Sequence, residues 1–378
     1  MKYILLIILI SIATGCNDKN KNNEISENGI SLSKAMGEDK NEKFDKATDK
    51  IKFKFPEDHG PHPGFKTEWW YFTGNLTDKD NKKFGYQFTI FRSALNKDTI
   101  VGNSDWRSNQ IYMAHFTVTD ISGNEFYFEE RFSRTGNELA GAKINPFKVW
   151  VEDWEIQETG ENTINDLPVL NIKAKTENAE INFRIESQKP LVLQGDSGLS
   201  QKGKQVGNAS YYYSYTRMKT EGKIFLEDKE FNVSGTSWMD REWSTSALSG
   251  DQKGWDWFAF QLDDSTDLMY YQLRKDDGSP DIYSKGILVG KDGKSETLNK
   301  EEVDIEIKNY WESPSGVKYP SGWNLNIPSK NIFLKITPAV SNQLLDVSIK
   351  YWEGAVKIEG TKDNSKISGR GYVELTGY

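Results

Sequence analysis

Two segments of the sequence place carboxyl groups directly among aromatic side chains. In residues 59–76, Glu68 immediately precedes two tryptophans, and further along the chain Asp240 lies between Trp238 and Trp243. A carboxylate taken into an apolar setting must be paired or have its pKa raised. A carboxyl group that stays protonated can act as an acid, and the negative faces of aromatic rings stabilise a cation. Both carboxyl groups are therefore candidate functional residues.

A structural role for Asp240 is the alternative. Arg241 and Arg217 are candidate partners for a salt bridge that would lock one part of the fold to another. This alternative and the acid role both remain open at the level of sequence.

The three histidines fall in or beside the first segment. They are His59, His62 and His115, and His62 is flanked by two prolines that predict a rigid loop. A metal site is one interpretation, if His62, His115 and Glu68 converge, because zinc accepts these ligand types. The spacing of the residues in HGPHPG matches neither the helical nor the strand periodicity that would bring side chains together around a metal ion. A hydrogen-bonded or proton-relay role is therefore favoured, and no metal is predicted.

Aromatic residues at alternate strand positions predict a ring-lined surface. Trp255 and Trp257 share one face of a strand, as do Trp69 and Tyr71, since successive side chains in a strand point to opposite faces. Such rings can line a pocket for an extended apolar ligand. The alternative is that they fill a barrel core, as rings do in many small barrels.

The elements that must position these residues are predicted to be strands. Apolar residues recur at every second position, for example in residues 84–90, 181–185, 258–262 and 332–336, and short polar turns separate such runs. No window longer than ten residues reads as an amphipathic helix. The prediction is an all-β protein with two antiparallel barrels or half-barrels in tandem, at residues 51–245 and 246–378.

The first fifteen residues have the layout of a secretory signal peptide. A basic start, an apolar run and small residues precede Cys16, the single cysteine, and the arrangement resembles a bacterial lipobox. An ordinary secreted protein with an incidental cysteine is the alternative. Residues 16–50 are polar and predict a disordered tether. We therefore expect a lipoprotein of the bacterial cell envelope, anchored to a membrane through lipid on Cys16.

Composition excludes several classes of function. The 378 residues include 48 Lys and Arg against 56 Asp and Glu, a net charge of −8 that argues against nucleic-acid binding. One cysteine excludes an internal disulfide framework. The sequence contains no nucleophile elbow, P-loop or dinucleotide fingerprint, so no cofactor is expected and serine-based hydrolysis is unsupported.

Three motifs in register resemble a known family. The sequence contains HPG-x3-EWWY at 62–71, W-x-D-x-x-W at 238–243 and GWDWF at 254–258, with MAHF at 113–116 and YYYSY at 211–215. This pattern is similar to the carotenoid 1,2-hydratase (CrtC) and AttH group of lipocalin-like proteins. The resemblance implies two lipocalin-like β-domains that hold a lipophilic small molecule in an aromatic cavity.

The resemblance also implies roles for single residues. Asp240 matches the aspartate proposed to protonate a carotenoid double bond in the hydratases, and Trp238 stands where they have a tyrosine. Tyr213 and Tyr215 occupy the region where the hydratases use a His and a Trp. This departure counts against carotenoid hydration as the specific reaction. The catalytic candidates are Asp240 as the acid, Trp238 and Tyr213 as groups that stabilise charge, and Glu68 or His62 as groups that organise water. The candidates for ligand binding are Trp69, Trp70, Tyr71, His115, Tyr215, Arg241, Trp243, Trp255 and Trp257.

Two functions follow as alternatives. The first is an enzyme, a hydro-lyase or isomerase that acts on an isoprenoid or polyene by protonation. The second is a carrier that holds a hydrophobic ligand without changing it.

Overall fold

The computed structural model describes residues 44–97, 104–246 and 248–378. The predicted signal peptide, the lipidation of Cys16 and most of the predicted tether lie outside these residues. Residues 44–50 correct the end of that tether, because Phe44 and Ala47 are buried and the Asp45 N–H donates to the Gly64 carbonyl at 2.9 Å. Within the described ranges, no helix has the length and apolar character needed to cross a membrane.

The first sheet lies within residues 67–246. In the described part of the chain it contains thirteen strands. Their bounds are β1 (Thr67–Asp78), β2 (Lys83–Ala94), β3 (Gln110–Asp120), β4 (Glu125–Arg134), β5 (Ala140–Lys143), β6 (Lys148–Val151), β7 (Trp154–Glu158), β8 (Leu170–Lys175), β9 (Ala179–Ser187), β10 (Val192–Leu193), β11 (Leu199–Gln201), β12 (Ala209–Leu226) and β13 (Lys229–Ser246).

This sheet is antiparallel and nearly closes into a barrel. Its order is β4-β3-β2-β1-β13-β12-β9-β8-β7-β6-β5, with the short β10 and β11 beside β12. The outermost strands β4 and β5 also contact each other, which brings the two ends of the sheet together. The barrel interior is filled by an apolar cluster that includes Trp70, Phe72 and Phe88. Closure of this kind removes most of the exposed strand edge.

The second sheet forms a half-barrel over residues 252–375. Its strands are β14 (Gln252–Leu262), β15 (Asp267–Lys275), β16 (Lys285–Val289), β17 (Ser295–Asn299), β18 (Asp304–Ile307), β21 (Trp323–Ile327), β22 (Ile332–Pro338), β23 (Leu344–Leu345), β24 (Tyr351–Lys362) and β25 (Ser365–Leu375). The strands β19 (Tyr310–Glu312) and β20 (Lys318–Pro320) pair with each other apart from it.

The described helices are single 3-10 turns. They cover Glu57–His59, Gly136–Glu138, Lys300–Glu302 and Pro328–Lys330. The prediction of an all-β fold with two antiparallel barrels or half-barrels in tandem is therefore confirmed, and the structure shows one nearly closed barrel followed by one half-barrel.

The strands β1, β12 and β13 separate two environments. They pair side by side in the first sheet, with Asp240 opposite Tyr71 on one neighbour and Ser214 on the other. Alternate side chains point into the barrel or toward the second sheet. On β13, for example, Met239 and Trp243 belong to the barrel core, whereas Trp238 packs in a cluster with Trp257 of the second sheet.

Buried contacts hold the two sheets together. The ammonium group of Lys189 lies 2.7 Å from the Asp267 carboxylate of β15, and the Arg217 guanidinium lies 2.6 Å from the same carboxylate. Strands β1 and β2 also pack on β25 and β24. This junction fixes the space between the sheets in which the functional site lies.

Candidate functional site

An aromatic cavity lies at the junction of the two sheets. About 710 Å³ of atom-free space lies within its outline, a volume that includes open solvent at its mouth. The lining residues are Trp69, Tyr71, Thr89, Phe91, Lys202, Tyr212, Asp240, Glu242, Leu248, Trp255, Trp257, Tyr271, Leu273, Tyr351 and Glu374. Rings with a few convergent polar groups are the usual lining of a small-molecule site.

Asp240 is the carboxyl group of the cavity wall with the most hydrogen bonds. The Tyr212 hydroxyl donates to Oδ2 at 2.5 Å, and the Trp238 indole N–H donates to Oδ1 at 2.7 Å. The Ser214 hydroxyl also donates to Oδ1. These groups come from β12 and β13 because positions 212 and 214 share the face of Asp240. Together they fix the orientation of the carboxyl group toward the cavity.

Burial makes Asp240 a weaker acid than an exposed aspartic acid. Its side chain is almost fully covered, and burial raises the pKa to about 7, with a further rise caused by the nearby Glu242 carboxylate. The hydrogen bonds from Ser214, Tyr212 and Trp238 act in the opposite direction. About half of the Asp240 carboxyl groups are therefore protonated near pH 7, and this protonated form can act as a general acid.

Neither of the salt bridges considered for Asp240 is present in the structure. Arg241 lies on the opposite face of β13 and pairs with Glu68, and Arg217 pairs with Asp267. The alternation of the strand explains the first result, since adjacent residues 240 and 241 point to opposite sides. Asp240 is therefore held by neutral donors.

A lysine and a glutamate form an ion pair in the same cavity. The Lys202 ammonium lies 2.7 Å from the Glu242 carboxylate and over the Tyr271 ring, 4.7 Å from its centroid. Burial alone would lower the pKa of Lys202, but the Glu242 carboxylate and neighbouring groups raise it. Lys202 thus remains charged and balances the charge of Glu242.

Two further carboxyl groups lie side by side in the wall formed by the second sheet. Glu353 and Glu374 are opposite each other on β24 and β25. The Trp255 indole donates to Glu374 at 3.1 Å, and the Tyr71 hydroxyl donates to Glu353 at 2.9 Å. Burial raises the pKa of Glu374 to about 8 and that of Glu353 well above its ordinary value. Both groups are therefore neutral hydrogen-bonding groups near pH 7.

The Glu68 cluster, composed of Glu68, Arg92, Arg241 and His62, lies apart from this cavity. Arg92 and Arg241 each form an ion pair with the Glu68 carboxylate, and all three side chains are buried. The His62 backbone N–H donates to Glu68 at 3.0 Å, and its ring stacks on Trp243 at 3.7 Å. This cluster locks the proline-flanked loop against β1 and β13.

The charges of the Glu68 cluster fix the ionisation of Glu68. Burial alone would raise its pKa, but Arg241 and Arg92 hold the pKa well below the ordinary range. Arg241 also lies over the Trp70 ring at 4.0 Å and donates to the Gly60 carbonyl at 2.6 Å. The expectation that Glu68 or His62 organises water beside Asp240 does not fit this location, since both point to the other side of β1 and β13.

Tyr213 and Tyr215 also lie on the barrel side. The Tyr213 hydroxyl is 2.7 Å from His59 Nδ1, and the Tyr215 hydroxyl donates to the Asn165 carbonyl at 2.9 Å. Burial lowers the pKa of His59 to about 4, so this histidine is neutral. The residues of β12 beside Asp240 are instead Tyr212 and Ser214, and this corrects the expected charge-stabilising role of Tyr213.

His115 lies behind the cavity wall. Its Nδ1 is 2.7 Å from the Tyr351 hydroxyl, and its Nε2 is 2.9 Å from Glu130. It does not converge with His62 and Glu68. Across residues 44–97, 104–246 and 248–378, no group of three His, Cys, Asp or Glu side chains is arranged to hold a metal ion.

The sequence candidates thus divide into two sets. Asp240, Trp69, Tyr71, Trp255 and Trp257 line the cavity, with Trp238 bonded to Asp240. The candidates on the barrel side are Glu68, His62, Trp70, Arg241, Trp243, Tyr213 and Tyr215, and His115 reaches the cavity through Tyr351.

Sequence reasoning missed several polar residues of the cavity. Tyr212 and Glu242 share the face of Asp240, so strand alternation was a usable signal for both. Lys202, Tyr351 and Glu374 come from distant segments, and no local pattern identified them.

The chain is similar to a protein family and to solved structures. A family profile described as AttH-like matches residues 46–378. A solved structure from Nitrosomonas europaea, described as a candidate AttH protein, is 31% identical with a TM-score of 0.78; the match covers 89% of this chain and 100% of that one.

Kievitone hydratase appears in two comparisons. The solved structure from Nectria haematococca has a TM-score of 0.65 at 17% identity, covering 89% of this chain and 98% of that one. The sequence from Fusarium solani subsp. phaseoli is 22% identical over 256 residues, which is 65% of this chain and 69% of that protein. The structural likeness at this identity shows a shared fold.

Proposed function

Because the chain belongs to the AttH-like family, we propose that it binds a lipophilic molecule carrying an isoprenoid or polyene double bond and hydrates or isomerises it by acid catalysis. The observation that carries the proposal is Asp240, a carboxyl group with a pKa raised to about 7 by burial that lines an aromatic cavity. The similarity to kievitone hydratase supports the reaction class.

The proposed reaction begins at Asp240. Its O–H proton is transferred to one carbon of the double bond, which leaves a carbocation on the more substituted carbon. The rings of Tyr71, Tyr212 and Trp257 line the same cavity as Asp240, and the negative faces of aromatic rings stabilise a cation. Addition of water then gives an alcohol, whereas loss of a different proton gives an isomerised alkene.

A carrier without catalysis is the second candidate. The apolar rings of the cavity suit a hydrocarbon whether or not it reacts, and the Lys202–Glu242 pair supplies polar anchoring for a ligand oxygen. In this interpretation the hydrogen bonds to Asp240 only shape the wall.

One experiment separates these candidates. The purified protein is extracted with organic solvent and the extract is identified by mass spectrometry. The protein is then incubated with acyclic polyenes and with kievitone, and products are examined for the mass gain of one water. We expect a gain that disappears in Asp240→Asn. A bound lipid that comes out unchanged, together with no product from any probe, would support the carrier.

We also propose that the protein works at the cell envelope as a lipoprotein. The support is the sequence of residues 1–16, in which an apolar run and small residues precede Cys16. A tethered protein of this kind would receive lipophilic ligands from the membrane to which it is anchored.

A further inference from the structure

A line of hydrogen bonds connects the cavity to the surface through Tyr351, His115 and Glu130. Tyr351 lines the cavity, and its hydroxyl lies 2.7 Å from His115 Nδ1. His115 Nε2 lies 2.9 Å from Glu130, whose side chain is 13% exposed and also accepts a hydrogen bond from Ser348. The line thus runs from β24 of the second sheet through β3 to β4 of the first.

The protonation states of His115 and Glu130 determine which group donates in each hydrogen bond of this line. Burial lowers the pKa of His115, so its ring is neutral, with one N–H. Although burial opposes it, hydrogen bonds from His115 and Ser348 hold the pKa of Glu130 below its ordinary value, so Glu130 is ionised and accepts from Nε2. Nδ1 must then accept the Tyr351 O–H. The Tyr351 oxygen is left with acceptor capacity toward the cavity.

The other acidic groups of this wall are poor proton acceptors. Glu353 and Glu374 are already protonated near neutral pH because burial raises the pKa of both. The Gln87 side-chain amide approaches the Tyr351 oxygen at 3.5 Å, at the limit of a hydrogen bond. A water molecule in the cavity can therefore donate to Tyr351.

We propose that Tyr351, His115 and Glu130 form a relay that orients the attacking water and accepts its proton in the cavity that Asp240 also lines. This inference rests on the proposed function. The order hydroxyl, imidazole and carboxylate is also that of hydrolase triads, in which the hydroxyl oxygen gains reactivity from the histidine behind it. Here the tyrosine oxygen acts on water and forms no covalent bond to the ligand.

The protons of the proposed step balance over one full turnover. The Asp240 O–H bond breaks as the new C–H bond forms, and the water oxygen bonds to the carbocation. The water proton moves to the Tyr351 oxygen while the Tyr351 proton moves to His115 Nδ1, and the His115 Nε2 proton passes to Glu130. Glu130 then releases a proton to solvent, His115 returns to its Nε2–H tautomer by proton exchange, and Asp240 takes up a proton, so the net reaction adds one water.

The test separates protonation from water addition. An aryl probe with a 3-methylbut-2-enyl arm is incubated in deuterated water with wild type, Tyr351→Phe, His115→Gln and Asp240→Asn. We expect Tyr351→Phe and His115→Gln to lower the hydration rate by about 10²-fold or more while deuterium still enters the probe and the isomerised alkene accumulates. Asp240→Asn should lose both deuterium entry and hydration.

Matched controls separate the relay from effects on folding. Tyr310→Phe changes an exposed tyrosine of β19, and Glu129→Gln changes the partly exposed neighbour of Glu130, so both should hydrate the probe at the wild-type rate. Near-wild-type hydration in folded Tyr351→Phe and His115→Gln would overturn the relay and leave the acid role intact. A wild type that hydrates no probe and incorporates no deuterium would overturn the proposed function and the relay with it.

Discussion

Asp240 carries the proposed chemistry because burial and neutral donors act on it together. Three hydrogen bonds keep the carboxyl group in place, while burial and the Glu242 charge raise its pKa to about 7. A structural salt bridge would have had the opposite effect on the pKa. The environment of this single side chain therefore distinguishes an acid from an ion-pair partner.

Replacement of Asp240 by Asn is expected to change the pH dependence of stability. The pKa is raised in the folded state, so folding favours the protonated form, and wild type loses stability as the pH rises from about 4 through about 7. The variant lacks this loss. Its free energy of unfolding relative to wild type should therefore increase by a few kcal/mol between pH 4 and pH 8.

Denaturant unfolding at both pH values measures this effect. Asp276→Asn, at an exposed turn, is the control and should show no such change. An Asp240→Asn curve that stays parallel to wild type across this range would contradict a buried, neutral Asp240.

At the scale of elements, β1 and β13 serve two different purposes on their two faces. The face toward the second sheet presents Tyr71, Trp238 and Asp240 to the cavity or its wall. The barrel face presents Glu68 and Arg241, which hold the loop around His62. Substitutions on the barrel face should therefore affect stability, and those on the cavity face should affect the ligand.

Glu68→Gln tests this division. The change leaves Arg92 and Arg241 buried beside a neutral partner, which typically costs about 3–5 kcal/mol. We expect that loss in the free energy of unfolding, with the ratio of hydrated to isomerised product unchanged at a temperature where the variant is folded. Glu129→Gln, which breaks a partly exposed pair with Arg131, should cost less than about 1 kcal/mol.

The sequence predicted which segments form strands better than it predicted which strands lie beside each other. Alternation in the strand correctly predicted that Trp255 and Trp257 share a face, and it contained the information that Arg241 must point away from Asp240. The motifs nevertheless grouped both faces into one site, because residues adjacent in sequence were taken as adjacent in the cavity. Tyr351 and Glu374 follow from long-range strand pairing, whose register no local pattern specifies.

At the scale of the whole molecule, the site exists because two sheets pack together. Asp240 comes from the barrel, Glu374 and Tyr351 come from the half-barrel, and Lys202 comes from a connection beside β12. The Asp267 ion pairs with Lys189 and Arg217 hold this arrangement from beside the cavity. Neither sheet carries the complete set of polar groups.

The proposed lipid anchor is also a property of the whole chain. In a bacterial host, wild type should incorporate labelled palmitate and sediment with membranes, whereas Cys16→Ala should do neither, because Cys16 is the single cysteine. Label that persists in Cys16→Ala, or its absence from wild type, would contradict the anchor and leave the site unaffected.

The protonation state of Asp240 is the most direct test of the central claim. Infrared difference spectra between wild type and Asp240→Asn, titrated from about pH 5 to about pH 9, isolate the carbonyl stretch of this carboxyl group. We predict a protonated carboxyl band that disappears with a pKa near 7. A carboxylate that is already ionised at pH 5 would contradict the account.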